Sequence, residues 1–181
     1  MSDLTRLLGA AQAGDRQAAA ALLPLVYDEL RTLAAARMSA EAPGHTLDAT
    51  GLVHEAYLRL VGDAGFQSRS HFMRAAAESM RRILVDHARA KHADKRGGEF
   101  ARVPLPDIAA GSGDVDLVVL DEALVELERH DPVAAELVKL RYFSGFSHAD
   151  AAELLGLTRR QADGRWALAR AWLFRRLRAD S

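Results

Sequence analysis

Apolar positions recur along most of this chain at the spacing of one helix face. Leu22, Leu25, Val26, Leu30 and Leu33 fall three or four residues apart, which predicts an amphipathic helix over roughly residues 16–38, before Pro43 and Gly44 end the pattern. Leu52, Val53, Ala56, Tyr57, Leu60 and Val61 form the next stripe, while Glu55 and Arg59, four residues apart on another face, can pair. Residues 62–70 read as a loop, broken by Gly62 and Gly65 and carrying one aromatic, Phe66. Ser70 is then expected to cap a long helix from His71 to about His92. Its inward face is Phe72, Met73, Ala76, Met80, Ile83 and Leu84, and Arg74, Arg81, Arg82 and Arg89 lie on a broad polar face. These helices predict one small core within about the first 95 residues.

No period survives from Lys95 to Asp116, where Gly97, Gly98, Pro104, Pro106, Gly111 and Gly113 fall, so this stretch reads as a linker. Helical spacing resumes with Leu117, Leu120, Leu124 and Leu127. Asp131 followed by Pro132 matches a capped helix start, leading into Ala135, Leu137, Val138, Leu140 and Arg141, and Gly145 breaks that helix. Beyond it, Ser147 and Asp150 approximate a capping box, Ala151, Ala152 and Leu155 make one buried side, and Gly156 permits a tight turn. Leu157 can plug the space beneath that turn. Thr158 caps a last helix with Ala162, Trp166, Ala169, Leu173 and Leu177 inward.

Two helices joined by a short turn containing Gly describe a helix-turn-helix, whose second helix fits the major groove of duplex DNA. Arg159, Arg160, Gln161 and Arg165 are therefore candidate DNA contacts, to bases or to phosphates. An antiparallel helix pair with no DNA role has the same spacing, so the motif alone leaves both readings open.

Composition agrees with an all-α fold of two small helical domains: the 181 residues are 49% apolar, with many Ala, Leu and Arg and only five Pro. The absence of Cys excludes disulfides, thiolate metal sites and cysteine nucleophiles. The first residues lack a basic stretch leading into an apolar signal core, and no apolar run approaches the roughly 20 residues that span a bilayer. A cytoplasmic protein with no membrane partner is the expectation.

Net charge is only −1, yet its distribution is uneven. Residues 69–102 and 159–181 are basic, while between them Asp107, Asp114, Asp116, Asp121, Glu122, Glu126, Glu128 and Asp131 face only Arg129. Two basic zones flanking an acidic one suit a protein that touches a polyanion at two places. A solvated helical surface gives the same pattern.

Enzyme chemistry finds little support. His54-Glu55 begins like a zinc-protease helix, but Leu58 stands where the second ligand belongs. His87 and His92 are five apart and do not share a helix face as an i,i+4 pair does. Neither a nucleophile elbow nor a phosphate-binding Gly-rich loop is present, so no catalytic residue, metal or cofactor is expected.

Several long blocks carry a family resemblance. They are Pro43-Gly-His-Thr-Leu, Leu52-Val-His-Glu-Ala-Tyr-Leu-Arg-Leu-Val61, Met80-Arg-Arg-Ile-Leu-Val-Asp-His-Ala-Arg89, Lys95-Arg-Gly-Gly98 and Arg165-Trp-Ala-Leu-Ala-Arg-Ala-Trp-Leu173. In this order they resemble a subgroup of the extracytoplasmic-function sigma factors and cover nearly the whole chain.

That resemblance implies a factor that binds core RNA polymerase and directs it to promoter DNA. Residues 1–95 would bind the polymerase clamp and melt the downstream promoter element, 96–116 would link, and 117–181 would read the upstream element and sit on the polymerase flap. By the same resemblance Leu52, Val53, Glu55, Tyr57 and Arg59 belong to the clamp-binding helix, with Asp28 on its neighbour; for Tyr57 a plain core role competes. Phe66, Arg69, His71 and Arg74 would lie where an unpaired base is captured, which requires a pocket and a positive potential. Arg81, Arg82, Arg89 and Lys91 would hold phosphates, against the plainer role of solubilising charges.

Two departures from the family pattern stand out. Where many members place acidic residues, this chain has Thr50 and Gly51 after Asp48; a phosphate on Thr50 would restore about −2 charge, and an ordinary helix cap is the plainer reading. A regulatory kinase or an anti-sigma factor would then be a further partner. In the reading helix, Ala162, Asp163 and Gly164 replace a β-branched residue followed by two basic ones, and Asp163 would repel phosphate unless it accepts from cytosine N4 or pairs with an arginine. Two competing functions remain: a helix-turn-helix regulator acting at operators without polymerase, usually a dimer, and a sigma-like interaction protein with weakened DNA reading. A sigma factor is expected to be monomeric when free.

Overall fold

The computed structural model describes residues 3–38, 48–61, 66, 68–94, 102–104 and 114–179. They form eight helices and one short strand pair: α1 Asp3–Gln12, α2 Arg16–Met38, α3 Ala49–Val61, α4 Arg69–Asp94, β1 Arg102–Pro104, β2 Asp114–Asp116, α5 Leu117–His130, α6 Pro132–Ser144, α7 His148–Leu154 and α8 Arg159–Ala179. The fold is all-α, with a first unit of α1–α4 and a second of α5–α8.

The first helix was not anticipated, although Leu4, Leu7, Leu8 and Ala11 carry the required spacing. α1 packs on α2, whose start is fixed by Asp15: its Oδ1 accepts from Gln17 N at 2.9 Å and Ala18 N at 3.1 Å. Helix α4 starts two residues earlier than expected. Ser68, rather than Ser70, is its cap, accepting from His71 N at 3.1 Å through Oγ. The stretch read as a linker contains regular structure too: β1 and β2 pair antiparallel with Val103 opposite Val115, and Asp116 caps α5 by accepting from Val118 N at 2.7 Å. Residues 95–101 and 105–113 lie outside the described residues.

The start of α6 follows the sequence closely. Asp131 accepts from Ala134 N at 3.0 Å, Pro132 opens the helix, and Gly145 closes it in the left-handed region at φ 74°. Ala134, Ala135, Leu137, Val138, Leu140 and Phe143 are all buried, so α6 is apolar around most of its circumference. Such a helix needs neighbours on every side, and α6 packs against α2, α4, α5, α7 and α8.

The two units therefore share one continuous core instead of burying separate ones. Full burial of Leu137, Val138, Leu140 and Phe143 contributes on the order of 8 kcal/mol before chain entropy is counted. α4 supplies the other side of this joint. Besides the expected inward residues, its Ala77, Val85 and Ala88 are buried, and α4 packs against α5 and α6 as well as α3.

Candidate nucleic-acid interface

The helix-turn-helix is built from two capped helices and a left-handed glycine. Ser147 Oγ accepts from Asp150 N at 3.1 Å and donates to Asp150 Oδ2, fixing the start of α7. Gly156 adopts φ 64°, and Leu157 N donates to Ala152 O at 2.9 Å to close the turn. Thr158 and Gln161 then form a reciprocal box: Gln161 N donates to Thr158 Oγ1 at 3.3 Å, and Thr158 N donates to Gln161 Oε1 at 2.9 Å. Ala151, Ala152, Ala162, Ala169 and Leu173 bury the inner faces; Leu154 joins them, while Leu155 is only half-buried.

This arrangement sorts the four candidate readers of α8. Arg159 and Arg160 project from its exposed first turn, and Arg160 makes no ion pair among the described residues. Gln161 is engaged in the cap, and Arg165 donates from Nη1 to Asp131 Oδ2, 34 residues upstream. The carboxylate expected to repel phosphate is itself partnered. Asp163 Oδ1 lies 2.9 Å from His148 Nε2, and its Oδ2 lies 4.0 Å from Arg159 Nε.

Just before α4, Phe66 sits half-buried edge-on to His71 and Phe72, with ring centroids 5.6 and 5.1 Å away. His71 and Arg74 are exposed, and Arg69 pairs with Glu29 of α2. Arg74 forks onto Glu136 of α6, its Nη2 donating to Oε2 at 2.8 Å. Arg82 donates to Glu78 at 2.9 Å, Arg89 lies 3.7 Å from Asp121, and Lys91 is half-buried.

Arg81 departs most from expectation. Instead of lying on an open polar face, its side chain is only 13% exposed, held between Glu78 of its own helix and Asp121 of α5. The Glu78 hydrogen bonds and the two carboxylate charges outweigh burial and raise its pKa, so it is always cationic. Burial works to raise Glu78, but Arg81, Arg82 and Lys139 outweigh it and hold the carboxyl below the usual range. Periodicity placed Arg81 outside because it tests one helix face, whereas α4 packs on two sides.

Around α3, Leu52 and Val53 lie in the core and offer no surface. Glu55 and Arg59 pair at 2.9 Å, as their spacing predicts. Tyr57 is half-buried, and that burial pushes its phenol up. Leu58, at 60% exposure, and His54 form the open face between them. Asp28 is exposed on α2, where its backbone oxygen accepts from Thr32 Oγ1 at 3.0 Å. Asp48, not Thr50, caps α3, accepting from Gly51 N at 2.7 Å, and Thr50 is exposed.

A two-unit helical chain ending in a capped helix-turn-helix meets one more observation: the family model for ECF sigma factors matches residues 1–179. The chain belongs to the ECF sigma factor family. Comparison with curated proteins and with solved structures gives no match.

As an ECF sigma factor the protein binds core RNA polymerase and directs promoter recognition and initiation; it is not an enzyme, and nucleotide addition belongs to the polymerase. This decides against an operator regulator that works without polymerase. Among the described residues no group of three or more His, Asp or Glu side chains is gathered as a metal site needs. None of the described helices is long and apolar enough to cross a membrane. What sequence reasoning missed in this ECF sigma factor are the partners of its basic residues, Glu29, Asp121, Asp131 and Glu136, and the His148 partner of Asp163. The Thr158–Gln161 box and the Glu78–Arg82 pair had a local signal, the first at the spacing of a capping box and the second four residues apart on one helix.

Proposed function

We propose that the two helical units of this ECF sigma factor divide its work, residues 1–95 gripping the polymerase clamp and the melted downstream element, and residues 117–181 reading the upstream element beside the flap. Residues 96–116 join them. The reading is carried by the exposed Arg159 and Arg160 at the capped start of α8, where a major groove meets the second helix of the motif. Downstream, Phe66, His71 and Arg74 supply an aromatic edge and positive charge for an unpaired base, and Arg82, Arg89 and Lys91 lie further along the same helix. On α3 the face offered to the clamp comprises His54, Leu58 and the Glu55–Arg59 pair. The free protein is a cytoplasmic monomer.

Thr50 is where regulation would act. Exposed in the first turn of α3 and relieved of capping by Asp48, its hydroxyl is open to a kinase, and a phosphate there gains from the helix dipole. An anti-sigma factor is the alternative controlling partner.

Reconstituted transcription with core polymerase on a genomic fragment library, with every start site mapped, tests the division of labour. Arg159→Ala with Arg160→Ala should lower initiation at promoters that depend on an upstream element while core binding stays unchanged. Parallel loss of core binding would count against it. Core polymerase should bind Thr50-phosphorylated protein more tightly than unmodified protein; equal binding would remove the kinase from the account.

A further inference from the structure

Asp163 is an unusual group to find on the exposed side of a DNA-reading helix, because phosphates repel it. Its side chain is 58% exposed, yet it does not hang free. His148, the first residue of α7, lies 2.9 Å away through Nε2. The other ring nitrogen, Nδ1, is buried with no hydrogen-bond partner among the described residues. Facing a carboxylate oxygen, which can only accept, Nε2 is the donor of this hydrogen bond to Asp163 Oδ1.

The ring is wedged as well as bonded. Trp166, one turn further along α8, packs against it with centroids 6.0 Å apart, and Arg141 lies 3.9 Å over the Trp166 face. One oxygen of Asp163 is thus fixed by a rigid donor. Among the described residues the other has only Arg159 Nε at 4.0 Å, too far for a hydrogen bond. Around it, Gln161 is occupied by the cap and Arg165 by Asp131. Next in sequence, a Cβ at Gly164 would meet no atom within 4 Å, so nothing inside the protein requires glycine there, and its missing side chain leaves clearance outside the helix.

We infer that Asp163 is a specificity-determining residue of the upstream-element reader: a carboxylate positioned by His148 so that its second oxygen accepts a hydrogen bond from an exocyclic amino group in the major groove, cytosine N4 being the best match. Cytosine N4 is a donor in that groove, and a carboxylate is its natural acceptor. Arg159 and Arg160 offset the repulsion from flanking phosphates. His148 is the positioning residue. The inference rests on α8 entering the groove, as proposed above.

The test is selection of upstream sequences from a randomised promoter library by the full-length protein with core polymerase. Wild type should enrich cytosine at one upstream position by about tenfold over the disfavoured bases. Asp163→Ala should lose that preference at that position alone, and Asp163→Asn should move it toward adenine, which an amide pairs through N6 and N7. His148→Ala should broaden the same position, while His148→Gln, which keeps an N–H donor, should restore it. If Asp163→Ala binds all sequences more tightly with an unchanged base profile, the carboxylate is only a repulsive surface charge and the inference is wrong. If wild type shows no upstream preference and Arg159→Ala with Arg160→Ala changes nothing, α8 does not read DNA, and both readings fall.

Discussion

Asp131 serves three elements at once. Its backbone N–H donates to Leu127 O at the end of α5, its Oδ1 caps α6, and its Oδ2 takes Arg165 from α8. Burial works to raise this carboxyl, but the Ala134 and Val133 N–H groups and Arg165 outweigh it and hold it below the ordinary range. Asp131→Ala should therefore destabilise the protein by about 2 kcal/mol, a lost cap plus an orphaned arginine, and Asp131→Asn by about half as much because an amide oxygen still caps. The folded state holds fewer protons on this group than the unfolded chain does. The advantage of wild type over Asp131→Asn should then be complete above about pH 5 and shrink as pH falls through the lower folded value. Denaturant melts of both proteins from about pH 6 to about pH 3 check this, and a constant difference would show that the charge does not contribute. Sequence alone made Asp131 legible as a cap through the Asp-Pro pair. Its bond to Arg165 spans 34 residues and has no local signature, so Arg165 read as a free groove contact.

At the level of elements, local chemistry was most legible where short-range rules act. Asp131 with Pro132, Gly145, Ser147 and Thr158 each marked a boundary that the structure reproduces, because caps and left-handed turns are decided within four residues. Packing partners were not legible. The inward face of α4 was read correctly as far as it went, but a second covered side shows up only once α5 and α6 are present. Gly156 isolates the cost of one such turn. Its φ is 64°, and an added Cβ meets no atom within 4 Å, so Gly156→Ala should destabilise by about 1 kcal/mol through the backbone alone. Thermal melts, with circular dichroism confirming unchanged helix content, provide the measurement. A cost near zero would mean that the turn relaxes, and one above about 3 kcal/mol would mean a packing role that the open space does not suggest.

Over the whole molecule, a shared core makes the two units one cooperative body. Tertiary fluorescence from Trp166 and Trp172, in the second unit, should be lost in the same denaturant transition as total helix content; two separated transitions would mean that the units fold apart. The Arg81–Asp121 pair lies at this joint, with side chains only 13% and 7% exposed. Asp121→Ala should cost about 2 kcal/mol, because the mostly buried Arg81 loses one of its two carboxylates and keeps Glu78, whereas replacing Arg81 and Asp121 together with apolar residues of similar size should cost less. The same joint bears on how the protein meets a polyanion. Arg74, Arg81 and Arg89 already neighbour carboxylates of α5 and α6, so phosphate must displace an internal anion before it gains a contact. Added electrolyte loosens the internal pairs as well as the external ones. Promoter affinity should accordingly decline less steeply with ionic strength than the slope of about −0.9 per phosphate contact that independent cations would impose. The residues on this joint would thus act as a built-in buffer against changes in cellular salt.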